Sequence, residues 1–232
     1  MANTTLDTPK GKVVFFDDFL GKVLDVTNWY TGNSDSGGTT PVILLRQGGV
    51  IQMGVDTTDN DVTSLRSNVN FAASHGTMTM EARMKLITSI ADGENNIGFT
   101  DDSATDEIIA VLSTTDTYTA TAAADFACFS YTGAGTANWK AIASKNGTDA
   151  TPVACNQGGA TTPVVGEYQT FKIVVNTDGD ADFYINGKWQ ARIDSAITAA
   201  TLMCFGWDLV SGGTARSGYL DYVEIIGSRA TT

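Results

Sequence analysis

The sequence predicts an all-β fold of two packed antiparallel sheets, on three observations. Short runs of β-forming residues recur along the chain, each closed by Gly, Asn, Asp or Ser. Several of these runs alternate apolar and polar residues with a period of two, as a half-buried strand requires. Asx-Gly dipeptides stand between consecutive runs, where the positive φ of a two-residue hairpin turn would be needed.

In chain order, Val13 to Phe19 is a compact apolar run rich in β-formers, followed by a turn-rich stretch that reaches Trp29 and Tyr30. Residues 33–41 are dense in Asn, Ser, Asp and Gly and read as a loop. Further strands are expected at 42–47, 50–55, 62–71, 77–87, 95–100, 107–113, 125–132, 138–144, 168–176, 181–186, 188–193, 201–209 and 218–226. In 77–86, Met78, Met80, Ala82, Met84 and Leu86 make one apolar face against Thr77, Thr79, Glu81, Arg83 and Lys85. Phe171, Ile173 and Val175 form such a face, and so do Ala181, Phe183 and Ile185. Asp178-Gly179 and Asn186-Gly187 separate three consecutive strands, so 171–193 reads as a meander. The Ala-containing stretches near 120–124 and 196–200 hold one helical turn at most, and 145–166 reads as an extended loop.

Composition agrees with strands and tight turns: 42% hydrophobic, 24 Gly and only 17% charged residues among 232. No composition break or fixed-period repeat divides the chain. Residues 1–12 are expected to be a flexible arm and 13–232 a single domain. The net charge of −12 opposes nucleic acid and anionic membranes as partners, since both need clustered Lys and Arg. No apolar run approaches the length of a membrane span, and the first residues carry no apolar segment of the secretory kind. Three cysteines, odd in number and without metal-ligand spacing, argue against a disulfide framework. Cys128 and Cys204 lie in apolar runs and read as buried, whereas Cys155 lies in a loop-like stretch and reads as exposed.

Four segments together resemble one superfamily. They are Phe16-Asp17-Asp18-Phe19 followed by Asp25 to Trp29; Thr79 to Lys85 followed by Asn96-Ile97-Gly98-Phe99; Tyr168 to Val175 followed by Asp182 to Lys188; and Gly218 to Ile226. In this order they resemble the concanavalin A-like, laminin G-like domains, which include legume-type lectins and laminarinase-type glucanases. The resemblance implies a two-sheet antiparallel jelly-roll sandwich. It implies that 79–85 and 95–100 are paired central strands, and that Phe15 to Phe19 lies beside Tyr219 to Ile225. The resemblance is also to non-catalytic structural proteins of phage particles.

Laminarinase-type enzymes use E-x-D-x-x-E on one strand, with one carboxylate as acid and one as nucleophile. The corresponding strand here reads Asn95-Asn96-Ile97-Gly98-Phe99-Thr100, with Glu94 as its sole carboxylate, so no enzyme is expected and no catalytic residue is assigned. His75, the single histidine, sits in a Ser-His-Gly turn without a nucleophile motif and reads as a surface residue. Asp101, Asp102, Asp106 and Glu107 form an acidic loop whose oxygens are the candidate ligands for Ca²⁺, although no metal or other cofactor is assigned. Glu81 and Arg83 share the polar face of a central strand, and Trp139 and Trp189 follow turns. These four are the candidate contact residues for a ligand or partner. Trp29 and Trp207 read as core.

The function expected from these features is a non-enzymatic virion protein, a capsid decoration protein of a phage. It would be assembled in the host cytoplasm, bind the major capsid protein or other virion proteins at the capsid surface, and form a homotrimer. Two alternatives stand beside it: a carbohydrate-binding, lectin-like module for host or glycan recognition, and a glycan hydrolase or lyase of the same fold.

Overall fold

A computed structural model describes residues 11–33, 39–44, 48–88, 93–104, 108–112, 115, 117–133, 138–157 and 161–229. The strands are β1 (Lys12–Asp17), β2 (Trp29–Asn33), β3 (Thr39–Leu44), β4 (Val50–Val55), β5 (Val62–Ser67), β6 (Met78–Leu86), β7 (Gly93–Thr100), β8 (Ala110–Leu112) and β9 (Tyr118–Thr121). They continue as β10 (Phe126–Thr132), β11 (Lys140–Lys145), β12 (Thr148–Asp149), β13 (Val153–Ala154), β14 (Gln169–Val175), β15 (Ala181–Ile185), β16 (Lys188–Ile193), β17 (Cys204–Ser211) and β18 (Arg216–Ser228).

Two eight-stranded antiparallel sheets face each other. Sheet A runs β16-β15-β14-β6-β18-β4-β3, with β1 also on β18. Sheet B runs β12-β11-β10-β7-β17-β5-β2, with β13 also on β11. The first and last strands pair as expected, Phe15 opposite Ile225 and Asp17 opposite Val223. The Asn186-Gly187 turn has φ of 51° and 75°, which closes β15 onto β16 in the hairpin read from the sequence. One expectation is corrected. Strands β6 and β7 are each central, but in opposite sheets, so 79–85 and 95–100 are not partners. Alternation alone carries no information about which sheet receives a strand.

The core between the sheets joins the apolar faces read by alternation. Met80, Met84, Phe171, Ile173 and Phe183 from sheet A meet Ile97, Phe99, Phe129, Phe205 and Trp207 from sheet B. Ring contacts knit it: Phe129 lies 5.1 Å from Phe171 and 5.2 Å from Phe183, and Trp139 lies 4.6 Å from Phe171. Aromatic pairs at such spacings add roughly 0.5–1.5 kcal/mol each beyond area burial.

Three local expectations change. The run at 29–33 is strand β2, because Trp29 pairs opposite Ser67 and buries its ring in the core. The stretch read as an extended loop contains β12 and β13, both paired with β11. Cys155, read as exposed, is fully buried, and its N–H donates to the Trp139 carbonyl at 2.8 Å. Burial pushes its thiol up to about 12, so it is not a reactive thiol at neutral pH.

Candidate functional site

Each sheet has a second face, turned away from the core, and the two faces differ. On sheet B, the residues alternate with the core set: Ser64 and Arg66 on β5, Glu94 and Asn96 on β7, Ser130 on β10, Asp208 on β17. Polar side chains at such positions ordinarily meet water. Here they are buried: Arg66, Asn96, Ser130 and Asp208 are fully so, and Glu94 is 6% exposed.

The cover is the hairpin β8–β9, from the connection between β7 and β10. Ile109, Ala110, Leu112 and Ala123 pack on Phe126, Cys128 and Ile142 of the outer face, forming a second apolar cluster. Gly206 makes room for it, since a Cβ there would stand 2.9 Å from Ile109 Cδ1. Three side chains of the sheet hold the backbone of the cover. Asp208 Oδ2 accepts from Ile109 N–H at 2.9 Å, Asn96 Nδ2 donates to the Ala110 carbonyl at 2.6 Å, and Glu94 Oε1 accepts from Leu112 N–H at 3.0 Å. Tyr118 adds a fourth tie, its hydroxyl hydrogen-bonded to the backbone of Ala143.

The charges under this cover are compensated unevenly. Asp208 pairs with the guanidinium of Arg66, both without exposure. Burial pushes the Asp208 carboxyl up against the pull of Arg66. Glu94 is pushed up to about 8 by burial, opposed by the Leu112 N–H and by the charge of Arg216. At neutral pH Glu94 is therefore mostly protonated. Glu94 Oε2, Asn96 Oδ1 and Ser130 Oγ find no partner among the described residues. The strand expected at 107–113 carries the signal for this region: Ile108 to Leu112 is an apolar run inside a polar connection, and such a run needs a surface to cover.

The outer face of sheet A is open. Register sets out one row across it: Trp189, Tyr184, Lys172, Glu81, Glu224 and Phe16. Two β-bulges aim its side chains. At β16 the pairing shifts between Phe183 and Tyr184, so Trp189 stands beside Tyr184 while Gln190 turns inward. Gln190 Oε1 then accepts from Gln157 N–H at 2.9 Å. At β18 the shift between Leu220 and Tyr222 brings Asp221 into an ion pair with Arg83.

The sequence-predicted contact residues divide accordingly. Glu81 and Arg83 both lie on this face. Tyr222 donates its hydroxyl to Glu81 Oε1 at 2.8 Å, and the Arg83 guanidinium stacks 4.1 Å from the Tyr168 ring centroid. Trp189 is 48% exposed, and its Nε1–H donates to Asp182 at 3.2 Å. Arg192 bridges Asp180, Asp182 and Asp194 beside it. Trp139 is corrected. It is fully buried, its indole N–H donating to Gln169 at 2.9 Å across the core, because it shares the core-facing alternation of Ala141 and Ala143 on β11. The sequence reading does not single out Tyr184, Tyr168 or Tyr222: Tyr184 stands on the polar side of the legible alternation at 181–185, Tyr168 precedes the legible 171–176, and Tyr222 follows a bulge that breaks the period of β18.

Of the acidic loop, Asp106 and Glu107 lie outside the described residues. Asp102 faces a cation: its carbonyl accepts from Arg66 Nε at 3.1 Å, and its carboxylate lies 3.9 Å from Arg66. Asp101 is raised mainly by burial, and its N–H donates to the Asp125 carbonyl. Among the described residues no three His, Cys, Asp or Glu converge as metal ligands. His75 is exposed in a short 3₁₀ turn.

No family model matches the chain, and no curated protein matches it. Solved structures do. The carbohydrate recognition domain of Emp47p superposes with a TM-score of 0.63 at 14% identity, over 93% of this chain and 95% of that one. Peanut lectin in complex with a 9-mer peptide gives 0.60 at 12% identity, over 95% and 99%. The β-glucanase of Bacillus licheniformis gives 0.59 at 14% identity, over 93% and 98%. Lectin domains and a glucanase share this architecture, so the likeness carries the fold and leaves catalysis unassigned. The chain has the concanavalin A-like jelly-roll fold.

Proposed function

We propose that this chain is a non-catalytic carbohydrate-binding domain whose site is the outer face of sheet A. The observation that carries the reading is Trp189. A bulge presents its indole to solvent, Asp182 fixes the ring through Nε1, and Tyr184 stands next to it across the ladder. A fixed aromatic plane beside carboxylates and cations is suited to a sugar, which offers an apolar ring face and a rim of hydroxyls. Preorganisation matters here, because a ring already held in place loses little freedom on binding. The carboxylates of the opposite face support the non-catalytic part. Glu94 and Asp208 are buried and engaged with the backbone of the cover, so no substrate reaches them in this arrangement.

The structures similar to this chain include a carbohydrate recognition domain, a lectin and a β-glucanase, and none of the three is a virion protein. Carbohydrate binding therefore has support that the capsid-surface role expected from the resemblance to phage structural proteins lacks.

A glycan array probed with the wild type and with Trp189→Ala tests the reading. Stacking that removes ~100 Å² of apolar surface from water contributes about 2.5 kcal/mol. Loss of the indole should lower affinity ten- to hundredfold. Absence of binding across neutral and acidic glycans, or a variant that binds as the wild type does, would overturn it.

A further inference from the structure

We propose that the β8–β9 hairpin is a proton-gated cover on the outer face of sheet B, latched through Glu94. The geometry shows a cover held by specific contacts. β8 touches sheet B through three side chain–backbone hydrogen bonds, from Asp208, Asn96 and Glu94, and through a small apolar cluster separate from the main core. Among the described residues the strand pairs with β9 alone, and no ladder of backbone bonds ties it to the sheet. Its release would leave both sheets intact.

Of the three clamps, Glu94 is the one whose charge can change without a compensating partner at contact distance. Asp208 keeps Arg66 whether or not the hairpin is in place. Asn96 does not titrate. Glu94 has one oxygen on Leu112 N–H and the other, buried, without a partner among the described residues. The charge acting on it is Arg216 at the start of β18. In the neighbouring row of the outer face stand Asp208 and Lys140, with Arg66 one row further along β5. Among the described residues of the cover the titratable side chain is Tyr118, which is engaged with Ala143; Asp116, between β8 and β9 in the chain, lies outside them.

Ionisation of Glu94 strengthens the bond from Leu112, but burial of the charge outweighs it and holds the carboxyl near 8. The sign follows from linkage. A carboxyl raised by the closed state favours that state fully below its ordinary value, near 4.5, and the advantage is lost as pH rises through 8. Opening, which returns Glu94 to water, therefore grows from about pH 5 upward and levels off above pH 9. With these two values the opening constant rises about tenfold between pH 7 and pH 9.

Hydrogen exchange of the full chain, corrected for intrinsic exchange, tests this at Ile109 and Leu112, with Ile173 in the middle of sheet A as reference. The wild type should lose about tenfold in protection at Ile109 and Leu112 from pH 7 to pH 9, and both should be less protected than Ile173 at every pH, as local opening requires. Glu94→Gln keeps an acceptor for Leu112 but cannot ionise, and its protection should be flat. Flat protection in the wild type, an equal loss in Glu94→Gln, or Ile109 and Leu112 as strongly protected as Ile173 would overturn the proposal. Should Glu94→Gln fail to fold, the contrast between Ile109, Leu112 and Ile173 in the wild type decides alone.

Discussion

The outer faces of the two sheets start from the same kind of sequence and end in opposite environments. On β6 of sheet A, Glu81, Arg83 and Lys85 alternate with core residues and remain half-exposed. On β7 and β17 of sheet B, Glu94, Asn96 and Asp208 alternate with core residues and are buried. The difference is the connection between β7 and β10, which folds back over sheet B as the hairpin β8–β9. Alternation therefore reports that one side of a strand is not the core. It does not report that this side meets water. A polar residue on a covered face has to be paired, and Arg66 with Asp208 meets that requirement.

This contrast can be broken by substitution, and the expected effects fall in order. Asp208→Ala leaves Arg66 buried without its carboxylate and removes the clamp on Ile109, so it should destabilise the chain by roughly 3–5 kcal/mol in urea unfolding. The pH effect on Glu94 comes next. The stability of the wild type relative to Glu94→Gln should fall by about 2–3 kcal/mol between pH 6 and pH 9, because titrations common to both proteins cancel in the difference. Tyr118→Phe removes the hydroxyl that bonds Ala143, which should cost roughly 1–2 kcal/mol and loosen the hairpin in hydrogen exchange. On the open face the same chemistry should count for little. Arg83→Ala breaks an ion pair whose side chains are 41% and 22% exposed, with an expected cost under about 1 kcal/mol, smaller still in high salt.

How far the sequence carried depended on what each signal encodes. The period of two in 77–86 and 171–185 is set by strand geometry, and it located β6, β14 and β15 within a residue or two. Asn186-Gly187 fixed a hairpin because its backbone angles are a local property. Assignment of β6 and β7 to different sheets is a long-range outcome, and no residue in 87–92 announces it. Trp189 could be named from its place after a turn, but its partner Tyr184 depends on a bulge that is visible only in the register. Trp139 followed the same turn rule and failed it, since the orientation of a residue entering a strand is decided by which face closes on the core. The covered site on sheet B was the least legible. Arg66, Glu94, Asn96 and Asp208 come from three strands far apart in the chain, and only the folded cover gives them a common role.

Trp189 offers the most direct test of the binding reading, because Trp29, Trp139 and Trp207 are buried and it alone is exposed. Acrylamide quenching of tryptophan fluorescence should therefore report chiefly on Trp189, and the strongest glycan from the array should protect it, halving the quenching constant or more at saturation. Saturable binding of that glycan with quenching unchanged would place the sugar elsewhere and contradict the assignment of the site to the open face of sheet A.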